Sequence, residues 1–394
     1  MRLVLKFFSR LVMLLCIAAM VTWWAFLPAS PDAFYDHPLE ATLAPGRLLK
    51  QEAFTRNIPG GTKAWRILYQ TTRHDGAPAI ASAIVVTPES ALAPSPVIAW
   101  AHGAIGVARG CAPSLFENPF PHIPAFPELF REGWTYVGTD YVGLGTPGGH
   151  AFLIGDDAAR NVLDAVRAAR QISGLELSGQ TLVWGHSQGG NTALWTGMTS
   201  SKYAPDVPLA GVAALSPASD LVGLMQEGKS LPLGKVLSAF ALQAYTARFD
   251  ELKPANLANG WSRFWARDMA RRCVGTLGTL LSVAEGKLLS TEGIFKAEAF
   301  SGALTERLKQ QTPKLPIPMP LLIGHGTTDD LISLKLQQGY VKSLCAAGQA
   351  LDYREYEDRN HLTIVAADSS LVKDLLQWSR DRLAGKPVPT HCPP

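Results

Sequence analysis

The sequence predicts an α/β fold: a mostly parallel central sheet with helices on both faces and a helical cap inserted late in the chain. Three observations predict it. Strand-like apolar runs alternate with helix-like runs through most of the 394 residues, the pattern of linked βαβ units. The strand-like runs end in Gly-containing loops, among them His102-Gly103, Asp140-Tyr141-Val142-Gly143 and His325-Gly326. Open sheets of this kind bind ligands at the carboxyl ends of their strands. From 220 to 311 no convincing strand occurs, only helical stretches, which reads as a cap set between two strands.

Composition agrees with a folded chain. Hydrophobic residues make up 47% and charged residues 18%, enough apolar surface for a sizeable core. The formal charge of +3 comes from Arg2, Lys6 and Arg10. Without them 33 basic residues face 33 acidic ones, and no basic stripe points to nucleic acid. Those three cations precede an apolar run over 11–27, the layout of a signal peptide. At roughly seventeen residues the run just reaches the minimum for a membrane span. Cleavage near Ala29 and an uncleaved anchor both fit. The expected location is therefore outside the cell, in the periplasm or at the envelope. Cys16 follows Leu14 and Leu15, not small residues, and reads as an apolar leader residue. The other four cysteines, Cys111, Cys273, Cys345 and Cys392, suggest two disulfides in an oxidising compartment, with three connectivities open. No Cys-x-x-Cys spacing calls for zinc, and no metal or organic cofactor is expected.

In chain order, the proline-rich segment 29–59 reads as an arm laid over the surface. Strands follow at 65–70 and 79–86, joined through His74-Asp75-Gly76, and a buried strand at 96–101. A Pro-rich loop (113–127) leads to a short helix at 128–132 and a strand at 134–139. Asp156 and Asp157 open a helix whose Ala159, Val162, Leu163, Val166 and Ala169 share one face. Its acids at the start and Arg167 and Arg170 near the end suit the macrodipole. Strands at 181–184 and 209–215 come next. Within the cap, 233–249 and 261–271 are helical and apolar on more than one face. A strand at 319–323, a helix at 334–346, a strand at 351–356 and a helix at 371–383 complete the chain. The expected division is a leader (1–29), a first core part (30–218), a cap (219–312) and a second core part (313–394).

The chemistry centres on Trp184-Gly185-His186-Ser187-Gln188-Gly189-Gly190. A strand enters Gly-x-Ser-x-Gly and a helix leaves it, the arrangement of a nucleophile elbow. The sharp turn strains the backbone at Ser187 and demands tiny neighbours, supplied by Gly185 and Gly189; Gly190 lets the helix approach the strand. At this glycine content the pattern arises by chance about 0.2 times per chain of this length, so its partners must carry the reading. A serine hydroxyl needs a base to take its proton. His361, just past the last strand, stands where a base belongs. His186 is adjacent in sequence, but neighbours on a sharp turn point apart, so it reads as a packing residue. His102 shapes a loop, His325 starts the acid loop, and His37, His74, His122, His150 and His391 have no supporting pattern. The base needs an orienting carboxylate. Asp329 in His325-Gly326-Thr327-Thr328-Asp329 fits, with Asp330 its immediate rival and Asp140 a further one; loop capping is the ordinary role of each. Two N–H donors should face the developing oxyanion, those of Gln188 and Ala104, each contributing roughly 3 kcal/mol.

These pieces resemble the secretory lipase family of α/β-hydrolases. The match is carried by Trp100-Ala101-His102-Gly103-Ala104-Ile105-Gly106, by Cys111-Ala112-Pro113-Ser114 and by Thr139-Asp140-Tyr141-Val142-Gly143-Leu144-Gly145-Thr146-Pro147-Gly148. The elbow and the Asp329 loop add to it. The resemblance spans about residue 33 to the end and is weakest in the cap. It implies a serine ester hydrolase with the triad Ser187, Asp329 and His361, and disulfides Cys111–Cys273 and Cys345–Cys392. The chain departs from the family at Ala104-Ile105, where relatives often carry polar residues.

The first reading is thus an exported carboxylesterase or lipase acting on a small-molecule or lipid ester, with no obligate protein partner. Contact with a lipid interface through leader or cap is compatible with it. A serine peptidase or amidase on the same frame is the alternative, though no charged cluster in the cap offers to bind a chain terminus. A non-catalytic binding protein would lack one of the three residues, and all three are present.

Overall fold

A computed structural model describes residues 2–40, 44–90, 94–314, 316–388 and 390–392. Among them nine strands form one sheet: β1 (Leu48–Ala53), β2 (Thr62–Thr72), β3 (Pro78–Pro88), β4 (Ser95–Ala101), β5 (Thr135–Thr139), β6 (Leu177–His186), β7 (Leu209–Leu215), β8 (Leu321–Gly326) and β9 (Asp352–Tyr356). Their spatial order is β1-β2-β3-β5-β4-β6-β7-β8-β9. The first pairings, through β3 with β5, are antiparallel, and every later one is parallel. The α/β-hydrolase fold read from the sequence is the fold observed.

The central strands are apolar on both sides because helices cover both faces. Alternation sorts their side chains. Val97, Ala99 and Val183 pack with Val162, Ala193 and Val341 of the helices Gly155–Ala169, Gln188–Tyr203 and Leu334–Ala346. Ile98, Trp100, Leu182 and Trp184 pack on the other face with Leu129, Leu371, Leu375 and Trp378. Parallel register brings strand ends together: Ala101 lies opposite Gly185, and His186 opposite Leu215. The loops after β4, β6, β8 and β9 therefore meet along one edge.

Between β7 and β8 the described chain is helical, with principal helices Leu221–Gly228, Pro232–Arg248, Gly260–Met269 and Leu277–Leu288. This insertion has its own apolar cluster, which includes Phe240, Tyr245 and Met269 and reaches down to Phe152, Leu153 and Ile332 of the sheet loops. The disulfide Cys111–Cys273 joins it to the turn beyond β4, closing 162 residues of sequence separation. Cys345–Cys392 ties the tail to the helix Leu334–Ala346, closing 47.

The segment 29–59 departs from the expected surface arm. It buries Phe34 and Tyr35 and contributes β1 at the sheet edge. Strand β1 is mostly exposed, so it lacks the apolar alternation that marks half-buried strands. The leader forms a helix, Arg2–Ala25. Among the described residues no helix is long and apolar enough to cross a membrane.

Candidate active site

Strand β6 ends at His186 and the helix Gln188–Tyr203 begins one residue later. Ser187 between them has φ 60° and ψ −120°, a conformation that costs energy for any residue with a Cβ. The glycines around it show why nothing larger fits. A Cβ on Gly185 would lie 1.9 Å from the Gly189 carbonyl oxygen, and one on Gly189 would lie 1.9 Å from that of Ala101. The strained serine thus stands at the helix N-terminus, where unpaired N–H groups and the positive dipole end favour a negative charge.

Three loops meet at this point. His361 Nε2 lies 2.9 Å from Ser187 Oγ, and His361 Nδ1 lies 2.8 Å from Asp329 Oδ2. All three residues are buried. The second carboxylate oxygen, Oδ1, accepts the backbone N–H groups of Leu331 at 3.0 Å and Ile332 at 2.8 Å. Burial pushes the Asp329 carboxyl up, but the hydrogen bond and charge of His361 and the Ile332 N–H outweigh it and hold it below its ordinary value. Asp330 is exposed. Asp140 is fully buried away from this cluster, accepting from Ser82 Oγ at 2.5 Å, from the Ser114 N–H at 2.9 Å and from the Ser114 hydroxyl. Of the three acids, Asp329 is the one within hydrogen-bond distance of His361.

Ala104 and Gln188 both border the cavity into which Ser187 opens. The loop that carries Ala104 passes so close that a Cβ on Gly103 would lie 3.5 Å from Ser187 Cβ. The rest of that cavity is apolar, lined by Phe152, Leu153, Leu331 and Ile332 from the sheet loops and by Leu224, Met225 and Leu237 from the cap. Its free volume is about 20 Å³, room for about one water and far too little for an acyl chain. The cap is closed over the serine. Among the described residues no group of His, Cys, Asp and Glu is arranged to hold a metal ion.

A family model described as secretory lipase matches residues 125–390. The chain belongs to the secretory lipase family. Among its relatives, Lipase 10 of Candida albicans is 25% identical over 93% of this chain and 83% of its own length. A Mycobacterium tuberculosis protein named "Probable inactive lipase" is 25% identical over 92% of this chain and 82% of its own. A secreted triacylglycerol lipase of Malassezia globosa is 26% identical over 84% and 75%. The crystal structure of Candida antarctica lipase A in its closed state superposes with a TM-score of 0.74 at 18% identity, covering 92% of this chain and 87% of that one. This secretory lipase is a carboxylic-ester hydrolase.

Two histidines of the lipase's site carry more than the sequence indicated. His186 is buried and bonds as well as packs. Its Nε2 donates to the His361 carbonyl oxygen at 2.8 Å, and the two rings lie 4.8 Å apart. It therefore holds the backbone of the loop that bears His361. His150, from a loop without any pattern, stacks on Tyr141 and has its Nε2 3.1 Å from Gln188 Nε2. That bond leaves the buried Gln188 Oε1 without a partner. Burial depresses both histidines to about 3 and His102 to about 4, so they serve as neutral hydrogen-bonding groups. No spacing rule reaches His150, because its partner lies 38 residues on and meets it through a loop crossing. His325, expected to be structural, donates to the Ile332 carbonyl at 3.0 Å and closes the acid loop.

Proposed function

We propose that Ser187 is the nucleophile of this lipase, His361 its general base and acid, and Asp329 the group that orients His361. The continuous hydrogen-bonded run from Ser187 through His361 to Asp329 is the observation that carries this reading. A family that includes a relative named as inactive makes the intact run informative. Asp329 holds the proton on Nδ1, which leaves the Nε2 lone pair facing Ser187 Oγ. As Oγ bonds to the ester carbonyl carbon, its proton passes to Nε2 and the carbonyl oxygen becomes an oxyanion. The N–H groups of Gln188 and Ala104 receive that charge, each contributing roughly 3 kcal/mol in a water-poor site. Collapse breaks the bond to the alkoxy oxygen, which leaves as an alcohol with the proton from Nε2. Water then attacks the acyl-enzyme by the same route. Carboxylic acid departs and Ser187 recovers its proton.

The apolar lining of the cavity supports an acyl chain as its occupant, and the Malassezia relative's name supports a lipid ester. The cap over 219–312 acts as the lid that admits it. The leader, the family and two disulfides, which persist in oxidising compartments, support export. Hydrolysis of a p-nitrophenyl ester series from short to long chains, by oxidised secreted protein and by its Ser187→Ala variant, tests this. Activity should vanish with the serine, and the chain-length optimum sizes the pocket. Folded wild-type protein that hydrolyses no ester of any length would overturn the reading.

A further inference from the structure

Among the described residues beyond the leader helix, seven large apolar side chains are strongly exposed. Five of them, Trp261, Phe264, Leu277, Leu280 and Leu288, lie on two neighbouring cap helices, Gly260–Met269 and Leu277–Leu288. Single exposed apolar residues are ordinary, but a contiguous group marks a surface that something covers. The same stretch presents Arg263, Arg267 and Arg271 at successive four-residue steps, on one side of the chain. With Phe264 and Gln243 they line an open groove of about 730 Å³. Among the described residues none of the three has an acidic partner. The acid on this side, Asp268, is taken by Arg272 and by Trp23 Nε1 at 3.1 Å. Arg263 Nε is buried without a hydrogen-bond partner. The leader meets the body here as well, since the Arg271 guanidinium lies 5.5 Å from the Trp23 ring centroid.

We propose that these two cap helices are a docking face for a lipid bilayer bearing anionic headgroups. The arginines would take headgroup phosphates in the groove, and Trp261 and Phe264 would enter the boundary between headgroups and acyl chains. Three uncompensated cations beside exposed aromatic and leucine side chains are the composition of an interfacial helix. The leader, an apolar helix, leaves the body at this same face. A chain brought to a membrane by its leader would carry these helices close to it, since Trp23 packs against Asp268 and Arg271. A second copy of the chain is the poorer occupant, because a two-fold contact sets like patches together and would oppose arginines to arginines. The proposal is independent of the catalytic reading, so the full chain with Ser187→Ala serves to test it.

Flotation with phosphatidylcholine vesicles, with and without phosphatidylglycerol, measures the partition. Binding should be tighter to the anionic vesicles and should weaken as salt is raised. Replacing the three arginines (R263Q/R267Q/R271Q) should lower anionic-vesicle binding on the order of a hundredfold and leave neutral-vesicle binding unchanged. W261S/F264S should weaken both. Melting curves and, with Ser187 restored, hydrolysis of a soluble short-chain ester show that the variants are folded. Anionic-vesicle binding that is indifferent to salt or to the arginine variant overturns the proposal. So does a dimer in solution that W261S/F264S abolishes.

Discussion

Exchanging Asp329 for Asn keeps the side chain's shape and reverses one hydrogen bond. Oδ1 is fixed by two backbone donors, the N–H groups of Leu331 and Ile332. An asparagine there must turn its carbonyl oxygen toward those donors, because its amide would face them donor to donor. The amide nitrogen then lands where Oδ2 stands, 2.8 Å from His361 Nδ1. Nδ1 now has to accept, so the imidazole proton moves to Nε2. There it points at Ser187 Oγ and cannot take that oxygen's proton. General-base assistance and the favourable charge on the imidazolium are lost together. The expected fall in kcat is about 10³–10⁴-fold, about 4–5 kcal/mol of barrier, with KM little changed because Asp329 stands behind His361. Asp330→Asn, at an exposed position, should stay within about twofold, as surface changes usually do. Initial rates on p-nitrophenyl butyrate for both variants read the difference. An Asp329→Asn enzyme within tenfold of wild type, or an equal loss in Asp330→Asn, would refute the argument from these hydrogen bonds.

Three further outcomes follow from the same contacts. His102, His150 and His186 have folded pKa values depressed from 6.5 to about 4, 3 and 3, so on acidification the unfolded chain takes up protons first. Their stabilising contribution is complete above pH 6.5 and is lost as pH falls toward 3–4, by about 2 kcal/mol for each at pH 5. Urea midpoints at pH 7 and 5 should show the loss, and His186→Gln should lose about 2 kcal/mol less between them; equal drops would refute the shift. Removing Cys111–Cys273 or Cys345–Cys392 by paired serine substitution should cost up to about 5 and about 4 kcal/mol, from separations of 162 and 47 residues in the chain-entropy model, and thermal melts rank the two. Gly189→Ala drives a Cβ to 1.9 Å from a backbone oxygen, whereas Gly179→Ala meets nothing within 4 Å. The first should cost on the order of 3 kcal/mol and the second almost nothing, read from the same melts.

The sheet was legible because its central strands are buried on both faces and read as unbroken apolar runs; the strand 209–215 and the helix 334–346 coincide with the observed Leu209–Leu215 and Leu334–Ala346. Edge strand β1 was not, since an exposed edge needs no apolar side chains and its sequence, Leu-Leu-Lys-Gln-Glu-Ala, shows no alternation. Ser187, His361 and the Asp329 loop were legible because each stands just past a strand end, and parallel register turns separate strand ends into neighbours. Asp329 could not be told from Asp330 in sequence. One peptide unit decides which carboxylate turns inward, and that depends on the Leu331 and Ile332 N–H groups. The roles of His186 and His150 depend on where two loops cross, which no local pattern encodes.

The closed cap constrains how this lipase can work. About 20 Å³ beside Ser187 has room for about one water but not for an acyl chain, so under the mechanism proposed above the cap must open to admit substrate. It is not free to move as a block. Cys273 is bonded to Cys111 beyond the loop that carries Ala104, and the Val274 N–H donates to the Ile105 carbonyl oxygen at 2.8 Å. The end of the cap near Cys273 is thereby fixed to the loop that carries Ala104, one of the two proposed oxyanion donors. Leu224, Met225 and Leu237 close the cavity from the other end, on the helices Leu221–Gly228 and Pro232–Arg248. In the reading proposed above, opening at that end would admit substrate while the disulfide keeps the Ala104 loop in place. On that proposal one insertion serves as a lid at one end and a brace at the other.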